Sequence, residues 1–164
     1  MALIIEAFPD HLRAIGTITV RWSSIDKLLH DILDGPLNQN EQAKTLRKCG
    51  AGKSRLEFFA ARVKCAGLVS AQEDELLGSV NQLLKLADDR NLIIHGQYGM
   101  MVGPSDEFTA SFSDIGLMKR DNYFAGRMDP SIVTVEHFMG HADEVYEASQ
   151  PMRDYLYKWP DHLT

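Results

Sequence analysis

The chain has 164 residues, of which 45% are hydrophobic and 24% charged, with a formal net charge of -6; this length predicts one domain over residues 1–164, burying about two-thirds of the unfolded surface. That composition excludes a disordered chain, and no apolar run approaches the roughly 18 residues of a membrane span. The start, MALIIEAFPD, has no basic n-region or small-residue cleavage site, and Cys49 and Cys65 are too few for a disulfide framework, so a cytoplasmic location with no membrane partner is expected. Both cysteines are expected as small buried hydrophobes.

The charge is unevenly placed. Between Lys44 and Lys64 stand seven cations against the single acid Glu57, which makes the segment +6 and leaves ten cations against twenty-two acids elsewhere. Such a split predicts one electropositive face on an acidic body, bordered by Lys53, Arg55 and Arg62, where an anion would be held; two solvated helix faces would give the same count.

The first element predicted is a long helix from Pro9-Asp10 to Gly35-Pro36. Ile15, Ile18, Trp22, Ile25, Leu29 and Ile32 recur at alternating spacings of three and four, one buried stripe with Trp22 as a core anchor. A short helix over Asn40 to Lys48 follows, then one from about Ser54 to Ala66 carrying Leu56, Phe59 and Val63. The Cys49-Gly50-Ala51-Gly52-Lys53-Ser54 run between them is not a phosphate loop. That pattern needs glycine where Arg47 stands and a strand where EQAKTLRK reads as helix. Gly50 and Gly52 instead end one helix and open the next.

A second long helix is expected from Ser70 to His95, opened by Ser70 and Glu73 as a capping box. Its stripe comprises Leu76, Val80, Leu83, Ala87 and Ile94, and Gly96 stops it. The residues from 97 to 133 change character. Tyr98, Met100 and Val102 alternate, Gly103-Pro104-Ser105-Asp106 turns, and Phe108, Ala110 and Phe112 alternate again, which predicts a β-hairpin. Weaker strands are expected near Tyr123 and at Ile132-Val133. Thr134 caps a last helix with Val135, Phe138, Ala142, Val145 and Ser149 at helical spacing, and Pro151 breaks it. The fold class is thus mainly α, a helical bundle with a small β-hairpin insert before its C-terminal helix.

The run Asp88-Asp89-Arg90-Asn91-Leu92-Ile93-Ile94-His95-Gly96 carries the most chemistry. At 100° per residue from Leu76, the stripe centres near about 40° and Asn91 falls at about 60°, inside it. A carboxamide there needs a hydrogen-bond partner, so a dry interior is not expected at that level. His95 lies one turn on, while Arg90 stands about 140° from His95 on a side chain long enough to bend back. A histidine at a helix C-terminus feels the negative end of the macrodipole, which favours the imidazolium. Arg90 supplies a planar fork of donors matched to phosphate oxygens. An imidazole and a guanidinium together meet the needs of RNA cleavage by 2′-hydroxyl attack without metal or cofactor.

Arg90-Asn91-x-x-x-His95, opposite a long first helix, resembles the R-x(4-6)-H motif of HEPN domains, the higher-eukaryote and prokaryote nucleotide-binding superfamily. The likeness includes Trp22-Ser23-Ser24-Ile25-Asp26, covers residues 10 to 96 and extends to the final helix; the β insert departs from the plain bundle. The resemblance implies a metal-independent endoribonuclease acting as a homodimer on single-stranded RNA, with Arg90 and His95 catalytic and Asn91 their polar neighbour. It also implies a toxin or defence role with a partner antitoxin protein. The alternative is a non-catalytic dimeric module that binds a nucleotide or a protein. A third constellation, His137-x-x-x-His141 with Glu144, has helical metal-site spacing. It lacks the glutamate of HExxH, and an exposed polar face is the expected reading.

Overall fold

The computed structural model describes residues 9–50, 52–95, 97–101, 114–118 and 131–159. The described chain is mainly helical, and its elements run α1 (Pro9–Asp34), α2 (Asn40–Leu46), α3 (Lys53–Lys64), α4 (Ser70–His95), β1 (Gln97–Met101), β2 (Asp114–Met118), β3 (Ser131–Val133), α5 (Val135–Ala148) and α6 (Gln150–Lys158). No helix among these residues is long and apolar enough to cross a membrane. Two compact units divide them, one of Met1–Thr19 with Asp88–Ala142 and the other of Val20–Ala87 with Asp143–Thr164. α1, α4 and α5 each contribute to both.

In the larger unit the core forms from the apolar stripes that helical periodicity demands. Trp22, Ile25, Leu29 and Ile32 of α1, Leu56, Phe59 and Val63 of α3, and Leu76, Val80, Leu83 and Ala87 of α4 are all buried. Each large side chain there contributes about 1.5–3 kcal/mol relative to exposure. Ser79, also buried, donates its hydroxyl proton to the Ala148 carbonyl at the end of α5. One of the carbonyls that a helix terminus leaves without a partner is thereby satisfied.

The helix ends follow local chemistry. Gly52 precedes α3 at φ 66°, a left-handed conformation that glycine adopts without cost, and its carbonyl accepts the N–H of Leu56 at 3.3 Å. Thr134 caps α5, its Oγ1 accepting from the His137 N–H at 3.1 Å. α4 starts differently from expectation: the Val69 carbonyl accepts from Gln72 and Glu73 at 2.9 and 3.1 Å, so Val69 takes the cap position and Ser70 is the first helical residue. Pro151 sits in the first turn of α6, where its missing N–H has no helical partner to lose.

Gly35, just beyond α1, is a point of close approach. A Cβ built there would lie 2.9 Å from the Asp31 carbonyl oxygen and 2.9 Å from Cζ3 of Trp159, at the end of α6. Only a residue without a side chain admits the indole this closely.

In the other unit, Ala14, Ile18, Ile93, Phe138 and Ala142 are buried. The Phe138 ring meets His11 edge-on at 5.9 Å between centroids. Three strands pair antiparallel in the order β1-β2-β3, with Gln97 opposite Met118, Met101 opposite Asp114, and Ile115 opposite Val133. Tyr98 and Met100 of the expected hairpin lie in β1. Its turn and return strand, like Gly96 and the strand expected near Tyr123, lie outside the described residues.

Candidate functional site at the end of α4

α4 ends at His95, and its last turn is where sequence pattern and structure diverge. Asn91 is exposed rather than set in the apolar stripe, Ile94 is half-buried, and Ile93 takes the core position at 2% exposure. The cause is geometric. From Leu76 to Ala87 the buried face keeps one direction, but Ile93 lies about 100° round the helix from Leu76, on the side away from Asn91. The buried face turns over this turn, which keeps the carboxamide in water and avoids its desolvation cost.

That turn divides the three candidate residues. His95 and Asn91, one turn apart, share an exposed face, while Arg90 stands half-buried on the other shoulder. Arg90 nevertheless reaches round the helix. Its Nη1 donates to Asn91 Oδ1 at 2.9 Å, which draws one end of the guanidinium toward the face that carries His95. At the other end, Nε is buried and has no hydrogen-bond partner among the described residues. An unsatisfied buried donor costs about 1–3 kcal/mol.

The three cations expected to border an anion belong to the larger unit, on α3. Arg55 is engaged internally: Nη1 lies 2.7 Å from Asp26 Oδ2, and Nε donates to the Gly50 carbonyl at 3.1 Å. Arg62 lies over the Phe58 ring at 5.2 Å, with its Nε buried and without a hydrogen-bond partner among the described residues. Lys53 opens the helix, half-buried. Of the +6 segment, Lys44 also has a partner, donating to Glu41 at 2.7 Å. That contact holds the Glu41 carboxyl below its ordinary range, chiefly through the hydrogen bond and then through the ammonium charge.

The histidine pair of α5 does not form a uniformly exposed face. His137 and Glu144 are exposed, but His141 is buried at 5% exposure beside Ala142. Four residues of helix advance the direction by about 40°, enough to carry His141 into the core flank while His137 stays at the surface, tilted 53° to the Phe138 ring. Among the described residues no three His, Cys, Asp or Glu side chains gather as a metal site. The cysteines also depart from expectation, Cys49 being half-buried and Cys65 exposed. Each follows a helix end, Cys65 as the C-cap of α3, where the chain leaves the buried face.

Sequence pattern singled out neither Arg153 nor Tyr146. Arg153 of α6 and Arg21 of α1 both lie over the Tyr146 ring of α5, at 4.3 and 4.9 Å from its centroid. Arg21 also pairs with Asp143 at 3.2 Å. The sequence signal available was Tyr146 and Arg153 seven residues apart, too common a spacing to stand out. No family model matches the chain, and no curated protein or solved structure does.

Proposed function

We propose that this protein is a metal-independent endoribonuclease of HEPN type that cleaves single-stranded RNA. The observation that supports the reading is the 2.9 Å hydrogen bond from Arg90 to Asn91 beside the exposed face of His95. A guanidinium and an imidazole offered on adjoining parts of one helix end can engage the same phosphodiester. On this reading His95 moves protons to and from the 2′-hydroxyl and the leaving 5′-oxygen. Arg90 stabilises charge growing on the phosphorus oxygens, and Asn91 orients the guanidinium. The working unit is a cytoplasmic homodimer in which the exposed ends of two α4 helices meet, with a toxin or defence role held in check by a partner antitoxin protein.

The test is cleavage of mixed single-stranded RNA by the pure full chain in EDTA. Products with 2′,3′-cyclic phosphate ends are expected, DNA should resist, and His95→Ala should lose about 10² to 10⁴ in rate. Arg90→Lys should also fail, since an ammonium lacks the bidentate fork. Intact RNA across neutral pH, or full activity in His95→Ala, overturns the reading. One observation favours a second reading, a non-catalytic nucleotide-binding or protein-interaction module. Arg55, one of the three cations expected to meet phosphate, is tied to Asp26.

A further inference from the structure

A cleft of about 340 Å³ opens in the larger unit between α1 and α6, lined by Lys27, Leu28, Asp31, Arg153, Leu156 and Tyr157 among others. Its volume stands at the lower end of small-molecule sites, which run from roughly 300 to 1,000 Å³.

The charges in the cleft are unequal. Lys27 and Asp31 pair with each other one helical turn apart and cancel. Arg153 has no carboxylate partner among the described residues. Its guanidinium carbon instead lies over the Tyr146 ring at 4.3 Å, a contact with the aromatic π-face that uses none of its five N–H donors. Tyr146 is itself fixed from Arg21, whose guanidinium lies over the same ring and pairs with Asp143. The sequence Asp143, Arg21, Tyr146, Arg153 thus seats one cation on a ring that is itself anchored, with no hydrogen bond from its guanidinium to any of the described residues. Pre-ordering of this kind lowers the entropic cost of gripping an oxyanion.

The remaining lining is apolar or aromatic. Leu28 is 7% exposed and Leu156 half-buried, while Tyr157 is 84% exposed. A tyrosine ring so open has almost no packing role within the chain, and an aromatic face at the mouth of a cleft suits a flat ring. We propose that this cleft is a binding site for a small aromatic anion, a planar ring carrying a carboxylate or phosphate. Arg153 receives the anionic group, Tyr157 stacks on the ring, and the Lys27–Asp31 pair offers a donor and an acceptor to its polar edge. The site is independent of the residues at the end of α4.

Isothermal titration of the full chain tests this with two probes, AMP for the phosphate head and indole-3-carboxylate for the carboxylate head, alongside adenosine and inorganic phosphate. At least one of the first two should bind about tenfold or more tightly than the ring or the anion alone, because the ring alone lacks the charged hydrogen bond and the anion alone lacks the stacking contact. Which head binds better identifies the ligand's source. Arg153→Ala and Tyr157→Ala should each weaken binding, the former by about tenfold or more. Tyr157→Ala removes an exposed ring and leaves the fold intact, so it reads binding without loss of structure. No binding of either probe at millimolar concentration overturns the proposal, as does binding indifferent to both substitutions. Binding that vanishes in Arg90→Ala with His95→Ala would move the ligand to the end of α4 and also overturn it. A cleft that binds in a chain inactive on RNA supports the proposal and separates its fate from that of the ribonuclease reading.

Discussion

Arg55 Nη1 lies 2.7 Å from Asp26 Oδ2, tying α3 to α1, while Nε of the same guanidinium donates to the Gly50 carbonyl in the turn before α3. The two side chains are 26% and 39% exposed, so solvent screens the pair and its ionic part is worth at most about 1 kcal/mol. Together with the carbonyl bond, Arg55→Ala should lower stability by about 1–2 kcal/mol. Urea unfolding should show a reduced midpoint with an unchanged slope. A double-mutant cycle with Asp26→Ala should recover a coupling energy, and strict additivity would show that the link is not stabilising.

Gly35→Ala should destabilise the larger unit by about 1–3 kcal/mol, because the new methyl meets the Asp31 carbonyl and the Trp159 ring at once. Adding Trp159→Leu should restore only part of the loss, since the carbonyl contact persists. Thermal unfolding reads this directly: a shift of roughly 2–4 °C accompanies each kcal/mol in a chain of this size.

Asn91→Ala separates orientation from folding. The side chain is exposed, so stability should stay within about 0.5 kcal/mol of the parent. If Asn91 holds the Arg90 fork in its working direction, the cleavage rate should fall while the pH profile set by His95 keeps its shape. A stability loss much above that figure would show instead that the Arg90–Asn91 bond is structural.

Burial raises Tyr155 above the ordinary tyrosine value of 10.0. The folded state therefore favours the neutral phenol more than the unfolded chain does. Its contribution is complete below that ordinary value and is lost as pH rises through the folded one. Stability should decline more steeply in strongly alkaline solution for the parent than for Tyr155→Phe. Phenolate absorbance should lose a phenol that titrates above the ordinary value when Tyr155 is replaced by phenylalanine, and identical alkaline profiles for both proteins would contradict this.

The long helices were legible because burial repeats along them: Ile18, Trp22, Ile25, Leu29 and Ile32 lie on one line of α1, and all are buried. Thr134 was equally readable, since its hydroxyl needs only residues a turn away to act as a cap. The last turn of α4 was not. Ile93 and Ile94 are adjacent and equally apolar, so periodicity extrapolated from Leu76 selects Ile94, whereas the core takes Ile93. Charge counting along Lys44 to Lys64 likewise could not register Asp26, an acid from a distant part of the chain that neutralises Arg55. The cleft beside Arg153 was hidden for the same reason, its lining coming from α1 and α6 at opposite ends of the sequence.

The seating of Trp159 against Gly35 bears on how the molecule is made. The indole that closes over the end of α1 leaves the ribosome well after that helix, as Ala148 follows Ser79, whose hydroxyl its carbonyl receives, and Tyr146 follows Arg21, which lies over its ring. At about 5–20 residues per second, the nascent chain holds α1 and α4 for several seconds before these partners emerge. Their apolar stripes are exposed to other chains throughout that interval, so the arrival of α5 and α6, rather than formation of the earlier helices, sets the moment at which the larger unit can complete its core.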